Sequence, residues 1–222
     1  MDTRARRILL ITGIACLLMG VVDSVIQPGY AARSAIKAAL FLLLPLLGAG
    51  RPLRQPLCAS RRALAAAAAA GLAVFALLLG GFFLLRPVLD LSQLTGTLTA
   101  STGVDRQNFP LVALYISLVN SFLEESFFRG FAFLALASHT SVRTACLFSA
   151  GAFALYHVAM TLGWFPLPLL MLVVAGLFLG GCFFNWCAWK SGSLLPSWLI
   201  HISADLAICA IGMILFQEGA VI

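Results

Sequence analysis

Of 222 residues, 62% are hydrophobic and only 10% are charged, and the mean hydropathy is +1.04. A soluble domain carries about a quarter charged residues, so this chain cannot cover a water-facing surface. The net charge of +6 does not read as nucleic-acid binding, because the bases cluster at the ends of apolar runs: Arg4, Arg6 and Arg7, then Arg51, Arg54, Arg61 and Arg62.

That clustering is the pattern of loops beside anionic lipid, and the composition implies an all-α, polytopic helical membrane protein. Seven spans are expected, roughly Ile8–Ile26, Ala35–Leu47, Leu64–Leu85, Phe109–Ala137, Val142–Leu162, Leu167–Trp189 and Leu194–Phe216. Most approach the ~20 apolar residues that cross a bilayer; the second is short. The first, with Arg4–Arg7 before it and Gly29-Tyr-Ala31 after it, also has the outline of a signal peptide; a retained helix is the expectation, since the chain continues as a membrane protein. The third holds Leu64-Ala-Ala-Ala-Ala-Ala-Ala-Gly71, small side chains suited to close helix packing. The polar interval Arg86–Asn108 reads as one exposed loop. No internal repeat supports inverted-repeat transporter architecture.

With the N-terminus in the cytoplasm, Arg4, Arg6, Arg7, Arg51, Arg54, Arg61, Arg62, Arg143 and Lys190 fall inside. Arg33, Lys37, Arg86 and Arg106 fall outside, diluted by Asp90 and Asp105. Nine against four satisfies the positive-inside rule. The six cysteines show no C-x-x-C pair and read as small packing residues, without a disulfide or metal role.

The stretch Leu123-Glu-Glu-Ser-Phe-Phe-Arg-Gly130 breaks the apolar pattern. Glu124, Glu125 and Asp205 lie deep in expected spans, as do His157 and His201. Each charge at the bilayer centre costs ~2.5–3.5 kcal/mol on insertion scales, so these groups must face inward. Glu125 and Arg129 are four apart and can pair. Glu124 is turned about 100° away and is left without that partner. His201 and Asp205 are also four apart, and Phe153 shares a face with His157. Counting rise along each helix puts Glu124, His157 and His201 in the middle or cytoplasmic half of the membrane. His139, beside a loop, reads as solvated.

A carboxylate with no ion-pair partner in a low-dielectric cavity suits general-base work, an imidazole beside it can share a water, and a second imidazole can stabilise an oxyanion. The set therefore suits hydrolysis of an amide or ester within the membrane. Two histidines and two carboxylates could also hold a divalent metal, although no H-E-x-x-H occurs. A proton or ion relay uses the same residue types. No Gly-x-Ser-x-Gly is present, and the cysteines lack nearby bases.

Three motifs in order, Glu124-Glu125-Ser-Phe-Phe-Arg129, Phe153-Ala-Leu-Tyr-His157 and His201-Ile-Ser-Ala-Asp205, resemble those of the CAAX protease and bacteriocin-processing (CPBP or Abi) family of intramembrane proteases. Gly176-Leu-Phe-Leu-Gly180 and Ser191-Gly-Ser-Leu-Leu-Pro196 resemble its connection into the last motif. The resemblance covers about half the chain. It implies a single membrane domain with N-terminal helices and an external loop over 1–108 and a catalytic core over 109–216. It also implies that Glu124 and His157 activate water, that His201 and residue 205 stabilise the oxyanion, and that Glu125, Arg129 and Phe153 support them. A glutamate-dependent mechanism without a metal cofactor is the expectation. Expected partners are membrane lipids and a peptide or small membrane-protein substrate, lipidated or not, with no nucleic acid, in a bacterial plasma membrane. The family usually has Asn where Asp205 stands. An amide donates to an oxyanion, whereas an ionised Asp only accepts; here Asp205 is expected to hold His201 as imidazolium. A non-catalytic immunity or scaffold protein of the same family, and a proton-coupled transporter, are the other readings.

Overall fold

The computed structural model describes residues 2–49, 57–88, 95–96, 99–100, 103–161 and 164–218. Arg51, Arg54 and Asp90, used above for orientation, lie outside the described residues, as do Leu162 and part of the Arg86–Asn108 interval. Among the described residues every regular element is helical.

Among the described residues six helices are long and apolar enough to cross a membrane: α1 (Thr3–Ile26), α4 (Arg61–Leu85), α5 (Phe109–Ala135), α6 (Val142–Thr161), α7 (Leu167–Ser191) and α8 (Leu195–Glu218). The expected span Ala35–Leu47 falls in a helical run made of α2 (Tyr30–Ala38), a π-wound turn (Ala39–Leu43) and α3 (Leu44–Ala49). Local chemistry sets the ends. The Asp2 carboxylate accepts from the backbone N–H of Arg4 at 3.3 Å, and that bond holds the Asp2 carboxyl below its ordinary range. Ser60 caps α4 by accepting from Ala63 N–H at 3.2 Å. Gly192, at φ +63°, turns the chain out of α7 in the left-handed conformation that favours glycine.

Ion pairs tie helix ends together on two sides of the bundle. His139, between α5 and α6, meets Asp2 at 2.7 Å, so it is not merely solvated and it puts the N-terminus beside that loop. Arg86 and Glu218 join the ends of α4 and α8 at 2.6 Å.

The core gathers rings from α5, α6 and the turn after α2. Phe41 stacks on Phe127 with centroids 4.2 Å apart and meets Phe128 edge-on at 5.5 Å. Around it lie Phe131, Phe133, Phe153 and Tyr156, all buried. Small residues let two backing helices close in. At Gly71 of α4 an added Cβ would lie 2.5 Å from Ser203 Oγ of α8; at Gly181 of α7 it would lie 3.1 Å from Ala150 Cα of α6. Within the small-residue stretch of α4 it is Ala67 and Gly71 that are buried, and the close packing expected of that stretch is made at Gly71.

α5 is not a uniform α-helix. Ile116–Asn120 and Glu125–Ala135 are π-wound, with an α segment Ser121–Glu124 between them. Such wider turns are rare and concentrate at functional sites. The boundary of the second falls between Glu124 and Glu125.

Candidate active site

Three helices bring the expected residues together. Glu124 Oε2 of α5 lies 3.7 Å from His157 Nε2 of α6 and 3.8 Å from His201 Nε2 of α8. On His157, Nδ1 is 2.8 Å from the carbonyl of Phe153 one turn earlier. That carbonyl can only accept, so the proton of a neutral ring sits on Nδ1 and the Nε2 lone pair faces Glu124. Phe153 also packs edge-on to His157, with centroids 4.5 Å apart.

Glu125 points elsewhere, as its rotation requires. Its Oε1 lies 3.4 Å from Arg129 Nε, the expected pair, with both side chains fully buried. The same oxygen accepts from His201 Nδ1 at 2.9 Å, a contact that helical spacing within one segment could not reveal. The adjacent glutamates therefore face the two different nitrogens of one imidazole. Arg129 lies between two aromatic rings, its guanidinium carbon 4.2 Å from the Phe153 ring and 4.9 Å from that of Phe184. Asp205 sits 3.7 Å from His201 Nε2 through Oδ1. This is an ion-pair contact, while the direct hydrogen bond of His201 goes to Glu125. The other oxygen of Asp205 is buried without a hydrogen-bond partner.

One expectation is corrected. Glu124 is not free of an ion-pair partner: Lys37 Nζ lies 2.5 Å from its Oε1. Lys37 also donates to Asn120 Oδ1 at 2.5 Å, and Asn120 Nδ2 donates to Glu124 Oε1 at 3.1 Å. Nor is Lys37 an outer-loop base; it is 5% exposed and lies near the rings of Tyr156 and Phe41 at 5.0 and 5.5 Å. Burying it unpaired in hydrocarbon would be costly, so an acid had to meet it. Its place inside an apolar run was the available signal, but its partner lies 87 positions away.

Cross-links fix the frame. Trp198 Nε1 of α8 donates to Ser121 Oγ of α5 at 2.9 Å. Ser149 Oγ of α6 donates to the Phe128 carbonyl at 2.7 Å. Asn185 of α7 donates to the Cys146 carbonyl at 3.1 Å.

Beyond His157, a polar cavity of about 110 Å³ is lined by Asp23, Ser24, Gln27, Arg33, Ala159, Met160 and Trp164. A larger apolar groove of about 430 Å³ runs between α6 and α7 past Ala154, Val158 and Met171 and contains none of the site residues. All six cysteines are free thiols. Among the described residues no three His, Cys, Asp or Glu side chains form a group fitted to a metal ion.

Residues 106–207 match the family model for type II CAAX prenyl endopeptidase Rce1-like proteins. Over these residues the chain is similar to the Rce1-like family. The matched segment holds all three motifs and agrees with the resemblance they carried. It supports a membrane-embedded protease acting on peptide. Neither a curated protein nor a solved structure matches the chain.

Proposed function

We propose that this Rce1-like chain is an intramembrane endopeptidase that hydrolyses a peptide bond near the cytoplasmic face, with Glu124 as its base. The observation that carries the reading is the approach of Glu124 Oε2 to His157 Nε2 and His201 Nε2 at 3.7 and 3.8 Å. Those separations are too long for direct hydrogen bonds and suit a reacting water shared between Glu124 and His157.

Glu124 takes a proton from that water, and the hydroxide adds to the scissile carbonyl carbon. His201, as imidazolium, donates from Nε2 to the oxyanion, a contact that strengthens as charge develops. Glu125 holds the ring by its other nitrogen, and Asp205 supplies a second carboxylate beside the cation. The protonated Glu124 then delivers its proton to the leaving nitrogen as the C–N bond breaks, giving an acid and an amine. No metal cofactor is required.

With Lys37 reassigned to the interior, the basic residues counted outside fall from four to three (Arg33, Arg86, Arg106), against nine inside. The cytoplasmic N-terminus is thereby favoured more strongly. A bacterial plasma membrane suits the compact loops and Ala/Leu richness. The substrate class is a peptide or small membrane protein, with or without a prenylated C-terminus, presented from the lipid. A non-catalytic immunity or scaffold role remains the second reading, favoured by the single observation that an acid, Asp205, stands where the family usually has an amide.

The experiment is cleavage of a farnesylated C-A-A-X peptide panel, alongside unmodified membrane-tethered peptides, by purified protein with and without chelator. Cleavage that is abolished by Glu124→Gln in a folded protein and indifferent to chelator is the expected result. Cleavage that survives Glu124→Gln would remove the base assignment. A wild-type protein inert across the panel would favour the non-catalytic reading.

A further inference from the structure

The family match begins at residue 106, yet the shortest polar contacts of the proposed base reach a residue far upstream of it. We propose that Lys37 of α2, together with Asn120, is a positioning residue for Glu124, so that the N-terminal helices complete the active site. The inference rests on the reading of Glu124 as the base.

A carboxylate has two oxygens, and a base that takes a proton from one defined place must present one of them there. Glu124 Oε1 receives Lys37 Nζ at 2.5 Å and Asn120 Nδ2 at 3.1 Å. Oε2 is left facing both imidazoles. The holders are themselves held: Lys37 Nζ donates to Asn120 Oδ1, closing a three-residue cluster. Phe41, one turn beyond Lys37, is locked in the aromatic core against Phe127 and Phe128. Tyr156, beside His157, places its ring under the ammonium. The cluster thus joins α2, α5 and α6 at one carboxylate oxygen.

The same helix carries a second cation one turn earlier. Arg33 Nε lies 3.4 Å from Asp23 Oδ1 of α1, so α2 presents Arg33 and Lys37 on one face, each to an acid on a neighbouring helix. The first pair lines the 110 Å³ polar cavity and the second reaches the site. Lys37 touches no group assigned to the substrate or the reacting water; it acts through Glu124.

A lysine that merely glued α2 to α5 would predict lost stability and nothing specific in catalysis. The test therefore compares kcat, KM and thermal unfolding for Lys37→Met, Lys37→Ala and Asn120→Ala on the peptide best cleaved by the wild type, with Glu124→Gln as the null. Misplacing a reacting group by an ångström costs about 100-fold, so Lys37→Met should lose kcat by about that factor while KM stays within about threefold. Ethylammonium, added to folded Lys37→Ala, should restore part of that kcat, and ethanol at equal concentration should not. Asn120→Ala, which keeps the Lys37–Glu124 contact, should lose about tenfold, since geometry is only partly released.

Wild-type kcat in folded Lys37→Met, or a loss of kcat in Lys37→Ala that no amine restores, would overturn the proposal. If the Lys37 variants do not fold, wild-type kcat in Asn120→Ala overturns it, and a tenfold loss with unchanged KM supports it. Activity surviving in Glu124→Gln would be a different failure, that of the base assignment itself.

Discussion

α4 and α5 are nearly the same length and both can cross a bilayer, but they are built on opposite plans. α4 is almost pure Ala, Leu, Gly and Phe after Arg62, and it leaves Leu72, Leu77 and Leu84 more than 70% exposed along its outer face. α5 carries Glu124, Glu125 and Arg129 and buries nearly everything from Leu123 to Phe133. Among membrane helices lipid is itself an apolar solvent, so burial does not follow hydrophobicity as it does in water. The polar helix goes to the centre and the apolar one to the rim. What α4 contributes is proximity: with glycine at position 71 it lies close against α8 at Ile200 and Ser203, on either side of His201.

The largest effects should come from the polar centre of α5. Glu124→Gln keeps the shape of the side chain and removes the proposed base; general acid–base groups contribute about 10²–10⁴-fold, so cleavage should fall by at least the middle of that range. A folded Glu124→Gln enzyme with near-normal kcat would break the contrast between the two helices as far as chemistry is concerned. Next is Arg129→Ala. Removing one partner of a buried pair costs about 3–5 kcal/mol, because Glu125 would be left charged and enclosed beside His201. Thermal unfolding in detergent should drop accordingly, and a loss under 1 kcal/mol would mean that Glu125 does not depend on Arg129.

How much of this was legible follows the same division. Local periodicity revealed the spans, the Glu125–Arg129 pair and the shared face of Phe153 and His157, because each is a statement about one helix. The meeting of Glu124, His157 and His201 was legible from depth alone. Contacts made across helices by a buried cation were not. Lys37 was read by the rule that places lysines at span ends, whereas its position is fixed by an acid and an amide on α5 and rings on two other elements. The hydrogen bond from His201 to Glu125 was hidden likewise, since four-residue spacing offered Asp205 as the nearer partner. The π winding of α5 has no signature in hydropathy, and it changes how successive side chains fan out from Glu125 onward.

A smaller effect should appear where the two plans touch. At Gly71 a Cβ would come within 2.5 Å of Ser203 Oγ and 3.1 Å of Ser203 Cβ. Gly71→Ala can be met by rotation of the Ser203 hydroxyl, but Gly71→Val adds branches that rotation cannot clear. Overpacking of this kind costs about 1–3 kcal/mol. Ser203→Ala should recover part of it, and cleavage should fall with stability because Ser203 lies two residues from His201. A Gly71→Val protein as stable and active as the wild type would show that α4 does not set the position of α8.

The smallest effect is the most informative about the rim. Leu77 of α4 is 73% exposed, so in Leu77→Ala lipid should fill the vacated space without a cavity. Stability should then change by no more than about 0.5 kcal/mol. Phe128 of α5 is fully buried and contacts the rings of Phe41 and Phe153, and Phe128→Ala should cost about 3–5 kcal/mol. Both changes delete apolar atoms from a membrane helix, and only the packing partner differs. If Leu77→Ala instead lost more than 1 kcal/mol by unfolding measured in lipid nanodiscs, something other than lipid would have to cover that face. α4 would then belong to an interface rather than to the rim.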